Sequence, residues 1–301
     1  MKNLLLLCGI ALLFASCDKP VSDAHFYDSG ISSELAQFRK QQVSDIHYNL
    51  TFEIPAEKSA SIPSSLLLEV EISDLSHPLI LDFHEESSHL LSLEVNGKKT
   101  EIDHRDQHLV IPKESLTKGS NSIAIEFKAG ELSLNRNDDF LYTLLVPDRA
   151  STLFPCFDQP NLKANYSLTI TAPKDWKVLA GAPEIASEKN GEFVTHRFSK
   201  SDLMSTYLFS FVAGKFEEAR SDSDFPQTML YRETNPEKIE ASIPELFTLH
   251  EKAKEFLEEY TAYPFPFQKL DFATIPIFQY GGMEHVGVIQ YRESSLFLDE
   301  N

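Results

Sequence analysis

Nine short apolar or alternating runs, at 46–54, 66–72, 79–83, 90–95, 109–111, 122–127, 166–171, 193–198 and 207–212, are separated by turn-forming pairs such as Asn96-Gly97, Lys118-Gly119 and Asn190-Gly191. This repetition constrains the fold more than any other feature. Each run is long enough for a strand and too short for an ordinary helix, and the turn pairs impose reversals. Ser122-Ile123-Ala124-Ile125-Glu126-Phe127 alternates with period two, as a strand with one wet face does. The expectation for 29–215 is therefore a mainly β fold, an antiparallel β-sandwich or saddle.

Past 215 the texture changes. Residues 236–262 carry a helical pattern, with Leu246, Leu249, Ala253, Phe256, Leu257 and Tyr260 on one face and Glu251, Lys252, Glu255, Glu258 and Glu259 off it. Tyr263-Pro264-Phe265-Pro266 ends the helix. Strands are expected at 270–275 and 288–291, so 216–301 reads as the start of a second, α+β domain with a thin core.

The N-terminus reads as a processing signal. Lys2 precedes an apolar stretch from Leu4 to Phe14, which is too short to span a bilayer but suits a secretory signal. Phe14-Ala15-Ser16-Cys17 resembles the bacterial lipoprotein processing site. On that resemblance 1–16 is removed, Cys17 carries the lipid, 17–28 is a tether, and the protein is exported and anchored to a bacterial membrane. Cys8 would leave with the signal, so Cys156 has no intramolecular disulfide partner and is expected as a buried, inert thiol. With 27 basic against 46 acidic side chains, the formal charge of −19 would repel phosphate backbones, so no nucleic-acid partner is expected.

Glycine is scarce, yet three of the 11 fall at Gly281, Gly282 and Gly287, between two expected strands and beside Glu284. Such a loop can let a ligand backbone lie against protein backbone; an ordinary turn is the alternative reading. Here the residues carry a resemblance. Phe256-Leu257-Glu258-Glu259-Tyr260, the Tyr-Pro-Phe-Pro turn, Lys269-Leu270-Asp271, Ala273-Thr274-Ile275-Pro276, Gly281-Gly282-Met283-Glu284 and Tyr291-Arg292-Glu293 resemble the catalytic-domain entrance of the aminopeptidase N family of zinc exopeptidases. Upstream, Phe154-Pro155-Cys156-Phe157-Asp158-Gln159-Pro160 with Lys163-Ala164 resembles that family's N-terminal β domain.

The resemblance implies an N-terminal β domain followed by the truncated start of a thermolysin-like catalytic domain. It also implies peptides with a free N-terminus as partners. Glu284 would accept the substrate's α-ammonium, with Gly281, Gly282, Met283 and His285 as substrate-binding neighbours. A carboxylate paired with a cation in a partly dry cleft is worth about 1.5–3 kcal/mol. Two departures stand out. His285 and Gly282 occupy the family's asparagine and alanine positions, and Leu144 and Val146 stand where the β domain often supplies a polar partner to the amine. Amine recognition then rests more heavily on Glu284, or on an acid elsewhere.

Zinc is the implied cofactor, held in the family by His-Glu-x-x-His and a downstream glutamate. None of the ten histidines fits that pattern. His104 and His108 have the spacing without the glutamate, and Lys254 stands where His250 would need a second ligand. No catalytic or metal residue is therefore expected in this chain, and the ligands are expected beyond residue 301. The leading reading is the N-terminal portion of a zinc aminopeptidase, inactive alone. The alternative is a non-catalytic surface lipoprotein whose sandwich binds a peptide, a glycan or a protein.

Overall fold

The computed structural model describes residues 23–297. In chain order its elements begin with helix α1 (Ser33–Gln42), β1 (Val43–Glu53), β2 (Pro63–Ile72), β3 (Leu79–Asp82), β4 (Leu90–Val95), β5 (Lys98–Lys99), β6 (Asp103–Arg105) and β7 (His108–Ile111). There follow β8 (Gly119–Lys128), β9 (Phe140–Tyr142), β10 (Ala164–Pro173), β11 (Lys177–Ala180), β12 (Glu184–Asn190), β13 (Phe193–Phe198) and β14 (Phe211–Gly214). The last group is β15 (Glu217–Arg220), β16 (Thr228–Tyr231), helix α2 (Pro236–Thr261), β17 (Asp271–Ile275), β18 (Gly282–Met283) and β19 (Val288–Arg292).

The fold is mainly β, as the alternating runs imply. An eight-stranded sheet runs β12-β13-β10-β1-β2-β8-β4-β5, with β1–β10 as its parallel pair. Its inner face, including Leu66, Leu68, Ile123, Ile125 and Phe127, forms one core with Leu79, Leu81, Leu109 and Ile111 of a β3-β7-β6 sheet. The Asn96-Gly97 pair has φ of 52° and 74° and links β4 to β5, the left-handed geometry of a tight hairpin.

A second three-stranded sheet, β11-β14-β9, is buried on both faces, which is why its strands are nearly continuous apolar runs. Phe211, Ala213 and Leu141 point into the sandwich core, while Val212, Phe140 and Tyr142 point the other way. There they meet Ala273, Ile275 and Val288 of a five-stranded sheet ordered β15-β16-β17-β19-β18. The far face of that sheet is covered by α2 through Ile243, Leu246 and Phe247 against Met229 and Phe272. The layers are thus sheet, sheet, sheet, helix.

Four expectations need correction. Helix α1 lies inside the stretch read as all-β; it has few apolar residues, but Leu35, Phe38, Arg39 and Gln42 share its buried side. Residues 23–28 are not a free tether, because Phe26 is fully buried with Leu35, Phe38 and Ile80. The helical stripe through 246, 249, 253, 256, 257 and 260 is not the packed face of α2. Leu249, Phe256, Leu257 and Tyr260 are 54–78% exposed, and the covered side runs through Ile243, Leu246 and Phe247. The run at 207–212 begins as a single helical turn, Thr206–Leu208, before β14.

The Phe-Pro-Cys-Phe-Asp run is a structural tie. Cys156 and Asp82 exchange backbone hydrogen bonds at 2.7 and 3.1 Å, and the Phe157 N–H donates to the Tyr48 hydroxyl at 2.9 Å. The Asp158 N–H donates to the Asp82 carboxylate at 2.9 Å. Cys156 is fully buried, and burial pushes its thiol well above its ordinary value, so it is a packing residue. His108, which reads as a loop histidine, is wholly buried beside Asp82.

Candidate active-site strand

Strand β18 is the outer edge of the five-stranded sheet, pairing antiparallel with β19 through Gly282↔Tyr291 and Met283↔Gln290. Its other edge is unpaired among the described residues, which leaves a row of backbone groups for an added strand. The two adjacent glycines have different reasons. A side chain on Gly282 would begin 2.9 Å from the Tyr291 ring, whereas Gly281 has open space around it. Arg292 steadies the preceding loop, donating from Nε to the Phe278 carbonyl at 3.0 Å and from a terminal nitrogen to the Gln279 carbonyl at 2.8 Å.

The loop after β18 is wedged against the β domain. Gly287 has φ of 76°, and a Cβ there would sit 2.0 Å from the Gly181 carbonyl oxygen. Gly181 in turn leaves a Cβ only 2.5 Å from the Val286 oxygen. Lys269 reinforces the joint, donating to the Ala180 carbonyl at 2.7 Å and pairing with Asp271 at 2.6 Å. Gly287→Ala is expected to lower stability by at least about 2 kcal/mol, from left-handed strain plus backbone collision. Urea denaturation of the variant checks this, and an unchanged midpoint would contradict it.

Met283 and Glu284 face different surroundings. Met283 is buried with Leu144, Tyr142 and Phe278, with Val146 against the same cluster. Glu284 is exposed and has no hydrogen bond or ion pair among the described residues. It lines a groove of about 440 Å³ with His250, Leu257, Phe265, Phe267, His285 and Tyr291. Leu144 and Val146 do not line this groove. Their apolar side chains pack on the Met283 side of the strand.

Three polar side chains near Glu284 have distinct states. His250 Nδ1 donates to the Leu246 carbonyl at 2.7 Å, so its Nε2 accepts from the Tyr291 hydroxyl at 3.0 Å. The His250 ring stacks on Phe272 at 4.2 Å, and burial lowers its pKa while raising that of Tyr291. His285, expected as a substrate-binding neighbour of Glu284, is 2% exposed with neither ring nitrogen partnered. Burial pushes its pKa down to about 3. Gln290, on the neighbouring strand, is fully buried with both amide atoms unpartnered. No group of three or more His, Cys, Asp or Glu converges to hold a metal among the described residues.

Comparison with known proteins decides the lineage. Residues 44–208 match the Peptidase M1 N-terminal domain, and 247–301 match the Peptidase family M1 domain. The chain belongs to peptidase family M1. Leucyl aminopeptidase of Saccharolobus solfataricus is 29% identical over 70% of this chain and 27% of its own length. Aminopeptidase M1 of Arabidopsis thaliana is 34% identical over 52% of this chain and 18% of its own. Human glutamyl aminopeptidase is 35% identical over 51% and 16%. The chain therefore spans about a quarter or less of the length of these relatives. In M1 terms, β9 and β11 of the N-terminal domain share a core with Ala273, Ile275, Met283 and Val288 of the peptidase domain.

Sequence reasoning weighed His250 only as a metal ligand and did not single out Gly181. A signal for His250 existed: Ile239, Ile243, Leu246, Phe247 and His250 form a stripe at helical spacing alongside the one that was drawn. Gly181 carried none, because its partner lies 106 positions away at Gly287.

Proposed function

We infer that this chain supplies the amine-recognising edge of an aminopeptidase that removes residues from peptides with a free N-terminus. The observation that supports this best is Glu284, an unpartnered carboxylate next to an unpaired strand edge. An extended peptide added along β18 would have main-chain partners, and its terminal ammonium would have a carboxylate within the same groove. Internal peptide bonds offer no such cation. Glu284 holds the amine, and Gly282 keeps the strand flat against Tyr291. His285 lines the groove beside Glu284, and Met283 packs on the opposite side of the strand.

The family chemistry is zinc-dependent in this reading. The described residues offer no converging ligand set, so the ligands of the metal belong outside them. The anchoring reading belongs here as well: Cys17, which lies outside the described residues, carries the lipid that holds the protein to a bacterial membrane after export. The competing reading, a binding module without catalysis, draws on that lack of ligands.

The test uses a polypeptide carrying this chain together with a complete M1 peptidase domain. Glu284→Gln is expected to reduce kcat/KM for aminoacyl chromogenic substrates about tenfold or more, the worth of one charge-assisted bond. N-acetylated substrates should be poor with both forms. Equal kcat/KM in the variant would remove Glu284 from amine binding. The 301-residue chain alone is expected to hydrolyse nothing, and hydrolysis with stoichiometric zinc would refute that.

A further inference from the structure

Five residues of the segment 23–29 fasten it to the β domain. Phe26 is buried against Phe38 and His77, with ring centres 5.2 Å away in each case. The Tyr27 ring lies 4.6 Å from the Arg105 guanidinium. The Asp28 carbonyl meets His108 Nε2 at 3.0 Å, and the same ring meets Asp82 through Nδ1 at 3.0 Å. Ser29 donates to Gln107 at 2.9 Å, and His77 faces Asp23 at 3.7 Å. The strap thus reaches the buried Arg39–Asp82 pair and is part of the folded body from Asp23 onward.

This fastening shortens the connection to Cys17. Six residue steps separate Cys17 from Asp23. In any conformation a chain of that length reaches no farther than roughly 22 Å. Were the strap loose as far as Ser29, twelve steps would reach as far as about 42 Å. The body is long by comparison, since the eleven residues of β1 alone span about 36 Å. Val43 begins β1 at the strap end, where the Gln42 side chain donates to the carbonyls of Asp74, His77 and Pro78. Lys58, exposed in the loop after Glu53, marks the opposite end.

We propose that the end of the β domain formed by the strap, α1 and the 74–78 loop is a membrane-facing surface, held against the phospholipid headgroups by this short leash. The reading rests on lipidation of Cys17. Attraction is not the cause: the strap end carries Asp23, Asp28, Glu34, Asp74 and Asp103 against Lys40, Arg105 and Lys113, and the chain is strongly acidic, so headgroups gain little from it. The leash alone sets the facing, with the 54–62 loop turned away from the bilayer.

The experiment labels single cysteines placed at Ser76 or Lys58 in the lipidated protein, reconstituted in phosphatidylcholine–phosphatidylglycerol vesicles carrying an acceptor dye on the headgroups. Cys156 is buried and will not take the label. Energy transfer should be several-fold greater from Ser76→Cys than from Lys58→Cys. Inserting twenty Gly/Ser residues between Ser22 and Asp23 should bring the two together. Equal transfer at native leash length overturns the proposal, and so does a difference that survives the insertion. A chain with no acyl mass at Cys17 overturns the anchor and the facing together, whereas an acylated chain with equal transfer overturns the facing alone.

Discussion

Replacing Asp82 by alanine is expected to cost about 3–5 kcal/mol and to lower the melting temperature by roughly 10 °C, because it strands a buried guanidinium. Arg39 meets the two Asp82 oxygens at 2.8 and 2.7 Å, and both side chains are fully buried. Burial would raise the Asp82 pKa, but the Arg39 charge and the bonds from His108 and Arg39 outweigh it and hold the carboxyl below its usual range. Its contribution is therefore present above the ordinary carboxylate pKa and is lost as pH falls through the lower folded value. His108 bridges the pair to the strap, its ring nitrogens lying 3.0 Å from Asp82 and 3.0 Å from the Asp28 carbonyl. Removing the carboxylate therefore loosens α1, the 23–29 strap and the Asp158 turn at once. The contrasting variant is the pair Arg39→Met with Asp82→Leu. A buried ion pair replaced whole by apolar residues often costs little, so the double change should be far milder than the sum of the singles. Urea denaturation of the four proteins checks this. Additive losses would mean that the two side chains do not act as a unit.

That network shows where sequence reasoning ends. The strands of the β domain were legible because period-two alternation is local: Leu66, Leu68, Val70 and Ile72 point inward together whatever they meet. The network was not, since Arg39, Asp82, His108 and Asp158 are scattered over 120 positions and each alone looks like a surface charge. The same limit hid α1, whose burial relies on one arginine and one glutamine as much as on Leu35 and Phe38. Strand β12 was missed for the opposite reason, as all seven of its residues are exposed and it joins the sheet through backbone bonds to β13.

The candidate site divides along similar lines. The run from Gly281 to His285 stood out by its glycines and by family resemblance, and its bracketing strands were read correctly from β-branched and aromatic runs. What fixes its position was invisible: the crossing of Gly181 with Gly287 and the Lys269–Asp271 pair are long-range contacts made by common residues. The misdrawn face of α2 has a simple cause. Two stripes at helical spacing run along it, one ending in the aromatic residues Phe256 and Tyr260 and one in His250, and the more apolar one was taken for the covered side.

His285 gives the second large effect. Its folded pKa of about 3 lies below an unfolded value near 6.5, so between those limits the unfolded chain holds a proton that the folded chain does not. Stability therefore falls as pH falls, by about 1.4 kcal/mol per unit once pH is well below 6.5, or roughly 3 kcal/mol by pH 4. His250 and His47, both lowered by burial, act in the same direction. His25, raised by its hydrogen bond to Asp28, acts in the opposite one. Comparing the wild-type chain with His285→Asn cancels these shared terms and the carboxylates. The variant keeps a small polar side chain at the position without a group that titrates, so its urea midpoint should decline less steeply on acidification. The two curves should separate progressively from pH 6.5 downward, by the slope of one proton. Because His285 adjoins Glu284, the acid-labile point of the fold would then lie beside the proposed amine anchor. Parallel curves would instead show that folding does not shift the titration of His285, leaving the acid response to His250 and the carboxylates.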